Sequence, residues 1–215
     1  MITHHWPLKA LRVRTPRLEL RLPSEDELGE VAEVAARGVS GAGTRTFLNG
    51  WTELPPQGRA RYVLQGYWGK LGRWTPEDWA LDLVAFHEGR PVGVQSMRAA
   101  GFAVRREIVS GSWLGAEHQG RGIGTEMRLG MLHLAFAELG TVSATSASFA
   151  ENLSSVTVSR KIGYRPDGIT RDVLRGEVVE SQRFRLSRED WERTERPEVT
   201  VSGLRGCEEL FGIPA

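Results

Sequence analysis

The chain has 215 residues, 40% of them hydrophobic, which suits one domain with a packed core. Its 28 basic and 27 acidic residues leave a formal charge of +1, so no global field favours nucleic acid or a membrane surface as a partner. One cysteine, Cys207, excludes an intramolecular disulfide, and the five histidines lack ligand spacing, so no metal site is expected.

At the N-terminus there is no basic-plus-apolar leader, and no run approaches the ~18 apolar residues of a membrane span; a cytoplasmic protein is expected. Residues 17–22 (RLELRL) alternate charged and apolar side chains and predict a strand with one wet face. Ser24, with Glu27 three residues on, forms a capping box that opens a helix running to about Gly38. Glycines, prolines and Trp51 make 41–57 a loop, and a second helix is predicted over 58–71. Strands over 79–87 and 90–99 form a hairpin about Glu88 and Gly89. A strand over 108–114 (IVSGSWL) precedes a glycine-rich turn, and a helix over 126–139 follows it, with Met127, Met131, Leu134, Ala135 and Leu139 at helical spacing. A strand over 141–147, a short helix closed by Gly163, and a hairpin of 169–174 with 178–186 about Gly176 complete the pattern. Beyond Trp191, residues 198–202 suit a further strand, on this sheet's edge or on a partner's.

Gln119, Gly120, Arg121, Gly122, Ile123, Gly124 and Thr125 are the segment richest in chemistry. Glycines between a strand and a helix bare the backbone where orphan N–H groups and the positive end of the helix dipole converge, a place to hold phosphate. A mononucleotide P-loop needs lysine and a hydroxyl residue after its last glycine, and here Thr125 and Glu126 follow Gly124. The dinucleotide fingerprint would put its third glycine at Thr125 and belongs in the first βα unit, so it fits poorly.

The pattern that fits is Q/R-x-x-G-x-G/A, carried by Gln119, Gly122 and Gly124, and it resembles the pyrophosphate-binding motif of the GCN5-related N-acyltransferases (GNAT). Gly111-Ser112-Trp113-Leu114 upstream and Thr125-Glu126 downstream resemble its ribosomal-protein N-terminal acetylase subfamily (RimJ/RimL type). Asn152-Leu153-Ser154-Ser155, followed by Lys161-Ile162-Gly163-Tyr164, is similar to the family's second cofactor motif. The likeness covers about 11–191 and extends to actinobacterial members, a mycobacterial N-succinyltransferase among them. It implies an α+β fold (α/β/α), with a mixed, mostly antiparallel sheet of about seven strands whose cofactor strands splay apart. One domain over 1–215 is expected, with 192–215 as a C-terminal extension, in a homodimer.

The implied reaction is acyl transfer from acetyl-CoA or succinyl-CoA to a primary amine, on a small molecule or a protein, by direct attack in a ternary complex. Trp113 and Leu114 would flank the thioester, with the Leu114 N–H on its carbonyl, an oxyanion contact worth about 3 kcal/mol in other enzymes. Residues 119–125 would hold the diphosphate; Asn152 and Ser155 would contact the pantetheine arm, and Asn152 also suits a helix N-cap. Many members carry a general-acid tyrosine seven residues after the asparagine, where this chain has Ser159. Ser155, Ser159 or water would then serve the leaving thiolate, or the thiolate would leave unassisted, a thiol's reference pKa of about 8.5 making it a tolerable leaving group. Glu107 is the first candidate base, Asp82 a further one, and Glu126 better suits the helix dipole. Trp51, Trp68, Trp74 and Trp79 are candidates for an acceptor pocket, and Arg98 for pairing with an acidic substrate or a succinyl carboxylate. One rival from another class is a non-catalytic acyl-CoA sensor or peptide-binding module on the same fold; a second is a nucleotide-binding regulatory domain, which would bind ATP or NAD more tightly than coenzyme A.

Overall fold

A computed structural model describes residues 1–39 and 47–214. A short helix α1 (Ile2–His5) and a 3-10 turn (Pro7–Ala10) lead into strands β1 (Arg12–Arg14) and β2 (Leu18–Arg21). Helix α2 (Glu25–Arg37) opens with the expected capping box: Ser24 Oγ accepts from the Glu27 N–H at 3.2 Å and Glu27 Oε2 from the Ser24 N–H at 2.8 Å. Of the loop expected over 41–57, positions 41–46 lie outside the described residues, 47–55 hold a 3-10 turn (Trp51–Glu53), and the second helix already begins at Pro56.

Helix α3 (Pro56–Gly72) precedes the hairpin of β3 (Asp78–His87) and β4 (Arg90–Ala100), whose two-residue turn places Glu88 and Gly89 at φ 51° and 76°. A helical turn, α4 (Phe102–Arg105), leads to β5 (Glu107–Leu114). Helix α5 (Ile123–His133) then passes into a π-helical turn (Leu134–Glu138). Strand β6 (Ser143–Phe149), helix α6 (Leu153–Ile162), strands β7 (Arg165–Leu174) and β8 (Glu177–Ser187), helix α7 (Arg188–Arg193) and strand β9 (Thr200–Ser202) follow.

One sheet of nine strands runs in the order β7-β8-β6-β5-β4-β3-β2-β1-β9, and β5–β6 is its parallel neighbour pair. The architecture is the expected mixed, mostly antiparallel sheet with flanking helices, with more strands than the seven foreseen. β1 escaped the sequence pattern because three residues, Arg12, Val13 and Arg14, are too few to show alternation. β9 pairs with it, Val13 opposite Val201. The tail thus extends this chain's own sheet, and Cys207 and Phe211 are buried in the same core as Leu8, Trp79 and Phe102. The packed core therefore continues past residue 191, and the tail no longer argues for a partner subunit.

Two helical layers cover the sheet. α5 and α6 pack on one face, where Leu81, Leu83, Met97, Ile108 and Met131 are buried together. α2 and α3 cover the other, burying Val31, Ala35, Val63, Val84 and Val94 as a separate, smaller core. Among the described residues, no helix is long and apolar enough to cross a membrane, and no group of three or more His, Cys, Asp or Glu could hold a metal.

β5 and β6 part company in the middle of the sheet. They pair only at Glu107↔Ser143, Ile108↔Ala144 and Val109↔Thr145. β5 then stays with β4 as far as Leu114, while β6 stays with β8 as far as Phe149. A gap therefore opens toward the C-terminal ends of both strands. That gap organises the site.

Candidate functional site

The gap ends at the glycine-rich turn. Gly122, at φ 78°, is the N-cap of α5, a left-handed backbone that favours glycine. Its side-chain-free cap leaves the first turn of the helix without a capping partner. The first bond there is Glu126 N–H to Gly122 O, at 3.1 Å. The amides from Gly120 to Thr125 have no hydrogen-bond partner among the described residues. Gly124 adds a second clue. It has no left-handed φ, and a Cβ placed there would meet no atom within 4 Å. Glycine within a helix costs about 1 kcal/mol relative to alanine, and here nothing in the protein needs it. Six orphan donors, open space and the positive end of a helix dipole make this turn chemically suited to an anion.

Side chains on either side hold this turn rather than fill it. Gln119 Nε2 donates to Val39 O at 2.5 Å and to Leu114 O at 3.0 Å, strapping the turn to the end of β5. Glu126, 8% exposed, accepts from Thr15 Oγ1 at 2.7 Å and from the Arg17 N–H at 2.9 Å, and pairs with the Arg17 guanidinium at 2.6 Å. Burial works to raise its pKa, but the Thr15 and Arg17 hydrogen bonds outweigh it and hold the carboxyl low. Beyond complementing the dipole, then, Glu126 anchors α5 to the β1–β2 corner.

β5 presents its backbone to the gap. The Gly115 N–H bonds Val92 O on the β4 side at 2.9 Å. Because successive residues of a strand point their amides to opposite edges, those of Leu114 and Ser112 face the gap. Across it, Asn152 caps α6, its Oδ1 accepting from the Ser155 N–H at 3.2 Å, and both residues are half-buried. Ser159 lies deeper, 1% exposed, and accepts from the Arg128 guanidinium at 3.0 Å. Tyr164 is buried, with its hydroxyl 3.0 Å from Ser110 Oγ.

On the α2/α3 face, a cleft of about 200 Å³ reaches the same stretch of β5, with Gly111, Ser112 and Trp113 in its wall. Trp51 and Tyr62 stack with centroids 5.2 Å apart, and Trp113 meets Trp51 edge-on at 5.7 Å. Lys70 pairs with Asp82 Oδ2 in the cleft wall. Asp82 Oδ1 and the Tyr67 hydroxyl are buried there without partners among the described residues. Burial, then the charges of Glu25 and Asp82, push the Tyr67 pKa up, so it stays a neutral donor.

Several expected site residues sit elsewhere. Glu107 lies at the closed end of β5, paired with Arg185 and, at 3.1 Å, with Arg105. Burial opposes ionisation there, but the Arg185 hydrogen bond leads the groups that hold its pKa low. Of the four tryptophans, only Trp51 lines the cleft. Trp68 is exposed, and Trp74 and Trp79 stack at 5.8 Å against Phe211, in the core under the C-terminal tail. Arg98 is exposed on β4 and does not line the cleft. The sequence pattern did not single out Lys70, Tyr67 or Arg128. Only Arg128 left a signal, as a charge inside an apolar helical run.

Alongside this geometry, the chain matches a known family. The family described as "Acetyltransferase (GNAT) domain" matches residues 17–165, more than half of the chain. The chain belongs to the GNAT acetyltransferase family. Solved structures share the fold at low identity. The ribosomal L7/L12 alpha-N-protein acetyltransferase RimL, in complex with coenzyme A, is 16% identical with a TM-score of 0.63, over 80% of this chain and 95% of that one. Mycobacterium smegmatis RimJ, in complex with CoA-disulfide, is 15% identical with a TM-score of 0.64, over 86% and 90%. The microcin C7 self-immunity acetyltransferase MccE, in complex with acetyl-CoA and AMP, is 16% identical with a TM-score of 0.59, over 80% and 93%. The GNAT match makes acyl transfer the general chemistry to which the cradle, the gap and the cleft must be fitted.

Proposed function

We propose that this chain is a coenzyme-A-dependent N-acyltransferase that passes an acyl group from a CoA thioester to a primary amine held in the aromatic cleft. The run of six amides from Gly120 to Thr125, unpartnered among the described residues, with an open Gly124, carries the reading. It suits a diphosphate, and the gap leading from it suits an extended arm. The Leu114 and Ser112 amides would bond that arm, Leu114 polarising the thioester carbonyl beside Trp113. Asn152 and Ser155 flank it from the other side.

Asp82 takes the base role first assigned to Glu107. Its buried Oδ1 lies in the cleft wall without a partner among the described residues, while Lys70 fixes the other oxygen. It accepts the amine proton through one water, and Trp51, Tyr62 and Trp113 enclose the apolar body of the acceptor. Acetyl is the default acyl group and succinyl the alternative. A cytoplasmic homodimer belongs to the same reading.

The decisive experiment offers acetyl-CoA and succinyl-CoA with a panel of peptide and small-molecule primary amines, and detects products by mass. Modified amine in either arm supports the reading. Tight CoA binding without product from any amine across pH 6–9 would instead mark a sensor.

A further inference from the structure

Arg128 is the charge in this molecule that packing explains least. It sits on α5, 4% exposed, among Met127, Leu129 and Met131. One terminal nitrogen donates to Ser159 Oγ at 3.0 Å and the other to Ser112 Oγ at 3.2 Å, while Nε is buried without a partner among the described residues. No carboxylate pairs with it among the described residues. Burial lowers its pKa, and Tyr164 acts in the opposite direction. Buried cations are ordinarily paired, because desolvation is costly. As a mere brace between β5 and α6, a neutral amide would serve two serines without that cost.

The position gives the charge a use. Ser112 is half-buried on the gap side of β5 and also lines the acceptor cleft, so the guanidinium spans from the β5 arm to α6 at the inner end of the gap. Each serine oxygen accepts from Arg128, which frees its own proton for a third group. Two neutral hydroxyls hold the cation without neutralising it. Such a preorganised field costs no reorganisation when negative charge develops beside it.

We propose that Arg128 is a positioning residue that, acting through the Ser112 hydroxyl, stabilises the thiolate released when the acyl group leaves coenzyme A. This rests on the acyltransferase reading above. The amine nitrogen forms a bond to the thioester carbonyl carbon, and the C–S bond breaks with its electron pair passing to sulfur. The nitrogen sheds one proton through water to Asp82 and on to solvent. Sulfur departs as a thiolate accepting the Ser112 hydrogen, with Arg128 behind it. A cationic neighbour lowers a thiol's pKa, so bound CoA should be more acidic than a free thiol near 8.5.

The test uses the full chain with CoA at saturation and records thiolate ultraviolet absorbance against pH, with desulfo-CoA as the blank. Binding is measured in parallel by calorimetry. In the wild type, the bound thiol should be at least about tenfold more acidic than free CoA. Arg128→Met should abolish that difference, Ser112→Ala should reduce it, and Arg128→Lys should keep part of it, all with CoA affinity within a few-fold. Should Arg128→Met fail to fold, Ser112→Ala and Arg128→Lys still decide the matter. Equal thiol acidity in wild type and variants overturns the proposal. A rise in KM for succinyl-CoA alone, with thiol acidity unchanged, also overturns it and assigns Arg128 to an acyl carboxylate. Absence of CoA binding in the wild type would instead defeat the acyltransferase reading beneath it.

Discussion

Replacing Gly124 by glutamate should make the empty protein more stable and the cofactor complex weaker, a pair of opposite signs that general damage to the fold would not produce. The position is in the first turn of α5, without left-handed backbone, and a Cβ there meets nothing within 4 Å. Glutamate recovers most of the roughly 1 kcal/mol that glycine forfeits in a helix. Its charge at the N-terminus adds about 0.3–1 kcal/mol. A net gain of about 1 kcal/mol should raise the Tm by about 2–4 °C for a chain of this size. Binding moves the other way. A carboxylate about 4 Å from a diphosphate oxygen is repelled by about 1 kcal/mol in water and about 4 at an effective dielectric of 20. A half-exposed turn lies between these limits, so about 2 kcal/mol, or a ~30-fold loss of CoA affinity, is expected. Thermal unfolding with and without CoA reads both effects. At a CoA concentration about 100 times the wild-type Kd, the ligand stabilises the wild type by about 2.7 kcal/mol, and the variant by only about 0.9. Gly124→Ala is the control, since the Q/R-x-x-G-x-G/A pattern accepts alanine: it should gain stability and lose little affinity. Unchanged CoA affinity in Gly124→Glu would refute the cradle.

Three further outcomes are expected. Asp82→Asn should lower kcat by about 10²–10⁴-fold with CoA affinity unchanged, whereas Glu107→Gln should keep kcat within about twofold; steady-state kinetics of both variants distinguishes the two base assignments. Phe211→Ala should cost about 3–5 kcal/mol in urea unfolding, because the ring is fully buried against Trp74 and Trp79; a loss below about 1 kcal/mol would show that the tail is not part of the core. Glu27 has its pKa lowered to about 2, chiefly by the Arg21 hydrogen bond against the opposing effect of burial. Its contribution is therefore present above the unfolded value of about 4.3 and is lost as pH falls toward 2. Unfolding midpoints at pH 5, 4 and 3 should fall less steeply in Glu27→Gln than in the wild type.

Local chemistry was legible in the chain itself. The Ser24–Glu27 capping box, the Glu88–Gly89 turn and the Gly163 cap follow from backbone preferences of a few adjacent residues, so their positions could be read in order. The motif from Gln119 to Thr125 belongs to the same class, because a strand end and a helix start are contiguous in sequence. What the chain could not disclose were contacts between residues far apart along it. Lys70 meets Asp82, Trp51 stacks on Tyr62 against Trp113, and Arg128 reaches Ser112 and Ser159 only because the sheet and two helical layers bring them together. Glu107 looked available for catalysis until β8 supplied Arg185, 78 positions away. Trp74 and Trp79 looked like pocket walls until the tail covered them with Phe211. Periodicity records which face of an element is dry. Which neighbour dries it, and which carboxylate is left without a partner, is decided by packing at long range.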